Sequence, residues 1–460
     1  MKSEHLKGLK DIVGEDNIYS DNAHLIAYSY DATRERFRPD AVVFPRTEAD
    51  VSNILKYCNE HKIIITSRGA GSGFTGGALP SEGGVVLAFE KHMTKILEID
   101  MENMVAVVQP GVINMDLQKA VEAVGLFYPP DPASQDYSTI GGNVSENAGG
   151  MRAAKYGITK DYVMALRAVR TNGDIIKAGK RTIKDVAGYN IAGILIASEG
   201  TLAVLTEITL KLISKPKLTK TAMGVFDSVE KAMEAVYKTM AAGVTPVAME
   251  FLDNLTIRAV EQTYNKGLPT EAGAILITDV DGNLEDDLNY QLDKIEETFK
   301  QNGCTDFVRA KDEKHAAELW FARRNASQCL SIYGSKKINE DVTVPRSALP
   351  ALLKKFYEIA DKYNINIPCF GHTGDGNVHT NVMVDKKDPA QVEIGYQAIK
   401  EVFQATIDLG GTLSGEHGIG LSKAPYMSMA FTKEEMTLFN DIKKAFDPNN
   451  ILNPHKMGLK

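Results

Sequence analysis

Two short segments near the C-terminal end carry the residues best suited to chemistry. One is His372-Thr373-Gly374-Asp375-Gly376-Asn377-Val378-His379, and the other is Gly415-Glu416-His417-Gly418. Two imidazoles and a carboxylate on glycine-rich turns make the donor set of a divalent metal site with an open coordination position. Apolar residues run up to Phe370 and resume at Val378, and Asp375-Gly376 between them is a strong two-residue hairpin signal. A two-residue loop at 375 and 376 predicts that position 372 lies directly across the ladder from 379. Both rings would then share one face, with Cβ atoms roughly 4.5–5.5 Å apart. Asn381, two residues further on, is predicted to point the same way. A polar surface hairpin is the alternative, but the chain has only nine histidines, and two of them recur here. Taken alone, His372, His379 and Glu416 suit hydrolysis as well as other metal-assisted reactions.

A second chemistry-bearing stretch is Arg68-Gly69-Ala70-Gly71-Ser72-Gly73-Phe74-Thr75-Gly76-Gly77, which follows the β-run Ile63 to Thr66. It contains GxGxxG, yet it leads into Gly77-Ala78-Leu79-Pro80-Ser81-Glu82-Gly83-Gly84 and then a strand, Val85 to Phe89. A nicotinamide-binding Rossmann loop opens directly into a helix, and proline with paired glycines argues against one. Successive backbone N–H groups can still cradle a pyrophosphate without a helix. Further small-residue clusters follow at Pro129-Pro130-Asp131-Pro132, at Thr139-Ile140-Gly141-Gly142-Asn143, at Asn147-Ala148-Gly149-Gly150 and at Ser198-Glu199-Gly200-Thr201. Such density lets a flat aromatic ligand lie against backbone, although each cluster singly is also ordinary turn chemistry.

The elements that must position these residues divide into segments. Short strands and helices alternate up to about Leu212, including a helical stripe Val51, Ile54, Leu55 and Cys58. Lys215-Pro216-Lys217-Leu218 reads as a linker. Beyond it an α+β pattern includes helices at Lys231 to Ala241 and Leu352 to Tyr363 and a strand at Gly273 to Val280. The last forty or so residues read as helical and end in Asp447-Pro448 to Asn453-Pro454, a stretch able to fold back onto another domain. At 460 residues about three folding units are expected. A net charge of −8 argues against a general nucleic-acid binder. No signal-peptide core or apolar run of membrane-spanning length is present, and Cys58, Cys304, Cys329 and Cys369 form no CxxC pair. A cytoplasmic protein with reduced thiols is expected, with room for peripheral association with a membrane.

Together these motifs resemble the FAD-linked oxidoreductases of the vanillyl-alcohol oxidase type. The likeness is greatest to the branch of FAD-dependent D-lactate dehydrogenases, the glycolate oxidase catalytic subunit and D-2-hydroxyglutarate dehydrogenase. It spans essentially the whole chain, through Arg68 to Gly77, Pro130-Asp131-Pro132, Ile140 to Gly150, Glu199 to Leu202, Gly371 to Asn381, Gly415 to Gly418 and Asn453-Pro454. The resemblance implies an α+β fold. A two-subdomain FAD-binding domain would occupy residues 1–215, and a cap domain with an antiparallel sheet and the metal site residues 216–420. A helical segment, 421–460, would return to the flavin. By the same resemblance Arg68, Gly69, Ala70, Gly71, Ser72, Gly73, Thr75 and Gly76 hold the pyrophosphate. Pro130, Asp131, Thr139, Gly141, Gly142, Asn143, Asn147, Gly149, Gly150, Glu199, Gly200, Val204 and Asn453 complete the FAD site. No histidine lies between Arg68 and Gly77, so the FAD is expected to be non-covalent.

The family likeness further implies that His372, His379 and Glu416 bind one divalent ion (Zn, Fe or Mn). It implies that Arg323 and Asn381 contact substrate, with Arg324 as the alternative to Arg323, and that His417 serves as base. The expected reaction is oxidation of a small D-2-hydroxy acid, D-lactate first and glycolate next, to the 2-oxo acid. Hydroxyglutarate-directed relatives carry lysine where this chain has Asn339, although Lys336 and Lys337 are close. Electrons would leave the reduced FAD to oxygen, a quinone, an electron-transferring flavoprotein or an iron–sulfur subunit. Two readings stand beside this one: a flavin-free metallohydrolase, and a non-catalytic flavin electron-carrier subunit.

Overall fold

A computed structural model describes the chain from Met1 to Lys460. The chain divides into two compact units, one formed by Met1–Gly149, Ile158–Lys215 and Glu416–Lys460, the other by Gly150–Gly157 and Pro216–Gly415. The passage from Lys215 to Pro216 coincides with the proline-punctuated stretch.

Two sheets frame the first unit. In the four-stranded sheet, ordered Ile18–Tyr19, Ala41–Val43, Val85–Ala88, Ile65–Arg68, the last three strands run parallel. Parallel strands are covered on both faces and so read as unbroken apolar runs, as Val85-Val86-Leu87-Ala88 does. Helix Glu48–His61 makes the crossover, with the Thr47 hydroxyl oxygen accepting the Asp50 N–H at its start. Val51, Ile54, Leu55 and Cys58 form its buried stripe, as their spacing predicts. A five-stranded antiparallel sheet is ordered Ile96–Asp100, Val105–Val108, Val204–Lys211, Val163–Val169, Ile175–Gly179.

The end of the chain is built into this unit. After helix Lys433–Phe446, Leu452 bridges in parallel to Ile65. Ile65 N–H donates to the Ile451 carbonyl at 2.8 Å, and Asn453 N–H donates to the Ile65 carbonyl at 2.9 Å. The buried Lys443 ammonium holds this return, donating to the carbonyls of Thr201 (2.8 Å) and Leu452 (2.7 Å) and to Asp447 Oδ2 (2.5 Å). Asp447 in turn accepts the N–H groups of Ile451 and Leu452.

The second unit is a seven-stranded antiparallel sheet between helices. Its strand order is Cys304–Arg309, Leu218–Phe226, Ala274–Gly282, Ala248–Asp253, Cys369–His372, Asn377–Val384, Lys336–Thr343. Helices Asn254–Tyr264 and Glu313–Cys329 pack together over an apolar layer that includes Ala248, Leu252, Ile277, Trp320 and Phe370. Helix Leu349–Tyr363 packs with Val229–Ala241 and Pro389–Asp408.

The histidine hairpin corrects one expectation. Its loop runs from Thr373 to Gly376, and the ladder pairs Phe370 with His379 and Cys369 with Thr380, so His372 is not directly opposite His379. The strand stops early because Thr373 turns its hydroxyl to the Met249 carbonyl at 2.9 Å. The carbonyls of His372 and Thr373 then accept the N–H groups of Asp375 and Gly376, both at 3.2 Å. The register therefore differs from the two-residue loop by two positions, which preserves the face on which each side chain stands. His372 and His379 are diagonal neighbours on one face instead of a direct pair.

Candidate functional site

In the first unit the glycine loop leaves the carboxyl end of strand Ile65–Arg68, and no helix forms before the next strand at Val85. Gly71 adopts φ +67°, and a Cβ there would strike the Arg68 guanidinium. The loop from Arg68 to Phe74 forms one wall of a deep cavity. Opposite it the Thr139 hydroxyl oxygen accepts the Gly142 N–H and starts the short helix Ile140–Glu146. A Cβ on Gly141 would fall 2.6–3.0 Å from Pro110, so glycine lets this helix lie against the neighbouring backbone.

Of the residues proposed from the sequence, Arg68 to Gly73, Thr139, Gly141, Gly142, Asn143, Gly149, Glu199, Gly200, Val204 and Asn453 line this cavity. Thr75, Gly76, Pro130, Asp131, Asn147 and Gly150 do not. Thr75 instead accepts the N–H groups of Leu421 and Ser422 on its carbonyl, and Asn147 ends the helix in a left-handed conformation. Glu416 and His417 also line the cavity, with the His417 ring 5.1 Å from that of Phe74 and its carbonyl accepting from the Thr75 hydroxyl at 3.2 Å.

The wall carries buried polar atoms with no partner in the protein: Ser67 Oγ, Arg68 Nη1, Ser138 Oγ, Asn143 Nδ2, Glu146 Oε2 and Asn453 Oδ1. Buried polar atoms are costly to leave unpaired, so such a wall fits a ligand rich in both donors and acceptors. A dinucleotide with a flat ring, hydroxylated chain and pyrophosphate meets that description. Burial pushes the carboxyls of both Glu146 and Glu199 up, and Glu199 raises Glu146 further. Burial and the neighbouring Glu199 charge both favour the protonated, hydrogen-bond-donating form of Glu146. Glu199 is countered by the N–H groups of Ile419 (2.7 Å) and Gly420 (2.6 Å).

In the second unit His372 and His379 bring their Nε2 atoms to 3.3 Å, with the ring planes at 84°. Two nitrogen ligands at roughly 2.0–2.1 Å from one ion in tetrahedral geometry stand about 3.3 Å apart. The donor set therefore fits a divalent ion between them. Glu250, fully buried on strand Ala248–Asp253, is paired with His372 in the ladder. Its Oε1 lies 2.6 Å from His372 Nδ1 and its Oε2 2.5 Å from Arg323 Nε. Burial pushes the Glu250 carboxyl up, but its pairing with His372 and Arg323 outweighs burial and holds it below its usual value. Arg323 also sits 4.8 Å over the Phe370 ring. Arg324, its neighbour, is exposed.

Asn381 is fully buried, and its Oδ1 accepts from Asn339 Nδ2 at 2.8 Å across the ladder. Asp341 faces His379 in the same ladder, and its Oδ2 accepts the Gly415 N–H at 2.8 Å. Gly415 is the residue before Glu416. Glu146, Glu250 and Asp341 escaped the sequence reading. For Glu250 a signal was present: a lone carboxylate inside the otherwise apolar run Val247 to Leu252.

The chain matches the family model "FAD linked oxidases, C-terminal domain" over residues 215–457 and "FAD binding domain" over residues 39–179. It is 45% identical over 450 residues to the glycolate oxidase subunit GlcD of Bacillus subtilis (strain 168), covering 98% of this chain and 95% of that protein. It is 35% identical over 433 residues to a D-lactate dehydrogenase of Anaerostipes hadrus, covering 92% and 90%. Among solved structures, p-cresol methylhydroxylase superposes with TM-score 0.82 at 18% identity, over 99% of this chain and 96% of that one. A 4-ethylphenol oxidase from Gulosibacter chungangensis gives 0.77 at 20% identity, over 100% and 98%. The chain belongs to the FAD-linked oxidases and has the two-domain, α+β, vanillyl-alcohol-oxidase-type fold. It is an FAD-linked oxidoreductase. No helix is long and apolar enough to cross a membrane.

Proposed function

We propose that this chain oxidises a small D-2-hydroxy acid, D-lactate before glycolate, to the corresponding 2-oxo acid. The FAD is held without a covalent link in the first unit, and one divalent ion is held by His372, His379 and Glu416. The carrying observation is the 3.3 Å approach of the two histidine Nε2 atoms, with His372 Nδ1 committed to Glu250. Identity to GlcD and to a D-lactate dehydrogenase over nearly the full chain supports the hydroxy-acid class. When bound, FAD supplies a two-electron acceptor and the ion supplies Lewis acidity that lowers the pKa of the substrate hydroxyl.

The remaining work falls to the chain's own residues. Arg323 spends Nε on Glu250, which leaves its two terminal nitrogens for a bidentate grip on the substrate carboxylate. An imidazole nitrogen of His417 accepts the hydroxyl proton. Asn381, fixed by Asn339, presents a polar edge beside the histidines. Because Asn339 puts a neutral amide on that edge, a monocarboxylate is favoured over a dicarboxylate. The electrons pass on to an electron-transferring flavoprotein, an iron–sulfur subunit or a quinone.

The test is anaerobic bleaching of the flavin absorbance by D-lactate, L-lactate, glycolate and D-2-hydroxyglutarate. D-Lactate should bleach fastest and L-lactate should not bleach. His379→Ala should leave the protein yellow while abolishing both metal content and bleaching. Full bleaching of a metal-free preparation would sink the metal's role, and no bleaching by any of the acids would sink the substrate class.

A further inference from the structure

We infer that Glu250 is a positioning residue that couples the metal site to the substrate-carboxylate site, orienting His372 and Arg323 with one buried carboxylate. This rests on the function proposed above. Glu250 is 0% exposed and has no water to fall back on, so both of its oxygens must find donors within the protein. They do: Oε1 takes His372 Nδ1 at 2.6 Å and Oε2 takes Arg323 Nε at 2.5 Å. The placement follows from the ladder, since Glu250 and His372 are direct partners on adjacent antiparallel strands and share a face. Arg323 reaches the same face from helix Glu313–Cys329 and is steadied by lying over Phe370.

The chemistry makes the carboxylate specific. An ionised carboxylate only accepts hydrogen bonds, so it holds the His372 proton on Nδ1, and the neutral ring then keeps its lone pair on Nε2, the atom that faces His379. That is the tautomer a metal ligand requires, and a carboxylate on the far nitrogen also raises the ligand's basicity. The same anion fixes Arg323 through Nε alone, which sets the direction of the two terminal nitrogens. A glutamine of the same shape cannot reproduce this. It offers one oxygen and one NH2 to two donors, so either Arg323 faces a donor or His372 shifts its proton to Nε2 and ceases to be a ligand.

A merely structural ion pair would leave metal affinity untouched, so affinity is the deciding measurement. Zn2+ binding to the FAD-loaded protein would be measured by competition with a chromophoric chelator, for wild type, Glu250→Gln, His372→Ala and the double variant, alongside KM and kcat for D-lactate. Glu250→Gln should weaken Zn2+ binding about 10- to 100-fold, the range seen when partners of metal-bound histidines are removed. It should also raise KM, while the flavin spectrum is retained. In the His372→Ala background the same substitution should change Zn2+ affinity by less than about threefold, because its effect passes through that ring. If Glu250→Gln fails to fold, Glu250→Asp keeps the charge but is one methylene too short to reach both partners, and it should lose either Zn2+ affinity or KM severalfold. Wild-type Zn2+ affinity and KM in a folded Glu250 variant, with His372→Ala impaired, would overturn the inference alone. Wild-type affinity in His372→Ala itself would remove the metal site, and this role with it.

Discussion

Lys443→Met is the substitution whose cost can be worked most fully from the structure. The Lys443 and Asp447 side chains are 1% and 0% exposed, and all three ammonium protons are used, on the Thr201 carbonyl, the Leu452 carbonyl and Asp447. Burial pulls the Lys443 ammonium below its usual value, with Asp447 opposing, as expected for a pair held out of water. Methionine would keep the packing of the stem but strand a buried carboxylate and two carbonyls. Breaking a buried pair from one side costs about 3–5 kcal/mol. The N–H groups of Ile451 and Leu452 still serve Asp447, which places the expected loss toward the lower end. Adding Asp447→Asn removes the charge while its amide oxygen keeps those two bonds, so the double variant should recover about half of the loss. The consequence extends to the cofactor, because Thr201 follows Gly200 and Leu452 precedes Asn453, and both of those neighbours line the cavity. The assay is urea unfolding followed in parallel by far-UV circular dichroism and by release of flavin fluorescence, since a chain of two units need not unfold in one step. A single variant within about 1 kcal/mol of wild type, or a double variant no more stable than the single, would refute the reasoning.

Two further predictions concern other buried groups. Burial pushes the Asp253 carboxyl from 3.8 up to about 6, against the N–H groups of Thr256 and Cys369. Because the folded value is the higher one, protonation favours the fold: this stability is complete below pH 3.8 and lost as pH rises through about 6. A difference of about 2 pKa units amounts to about 3 kcal/mol. Asp253→Asn, which keeps the capping oxygen for Thr256, should flatten the slope of urea midpoints between pH 4 and 6, and an unchanged slope would count against it. Asn453 Nδ2 donates to the carbonyls of Glu199 (2.7 Å) and Gly77 (3.1 Å), across two walls of the cavity. Aspartate has no donor there, so Asn453→Asp should cost about 2 kcal/mol and weaken FAD binding about 30-fold in a titration of the deflavinated protein. A change under threefold would show that these bonds do not shape the site.

How far the sequence revealed this site depends on the distance over which each residue acts. The turn of the glycine loop was legible because its cause is local: Gly71 takes a positive φ, and a Cβ there would strike the Arg68 guanidinium. The shared face of His372, His379 and Asn381 was legible because strand periodicity is a two-valued property. The loop length was not, because it was set by Thr373 reaching Met249, a residue on a distant strand. Glu250 lies still further from a sequence reading. It meets His372 across a separation of 122 residues, and only the strand order puts them side by side. Lys443 and Asp447 stand at ordinary helical spacing, and nothing local says that the turn after helix Lys433–Phe446 will cover them.

The turn between the histidine strands acts as a digital spacer. Shifting the register by two residues leaves His379 on the histidine face but slides it about 6.8 Å along the strand. Shifting the register by one would rotate His379, Asn381 and Met383 together to the opposite face, into the layer of helices Leu349–Tyr363 and Pro389–Asp408, and would bring Val378 and Thr380 into their place. The face that His379 and Asn381 present is therefore kept by even register shifts only, a parity rule imposed by the pleat of a β-sheet.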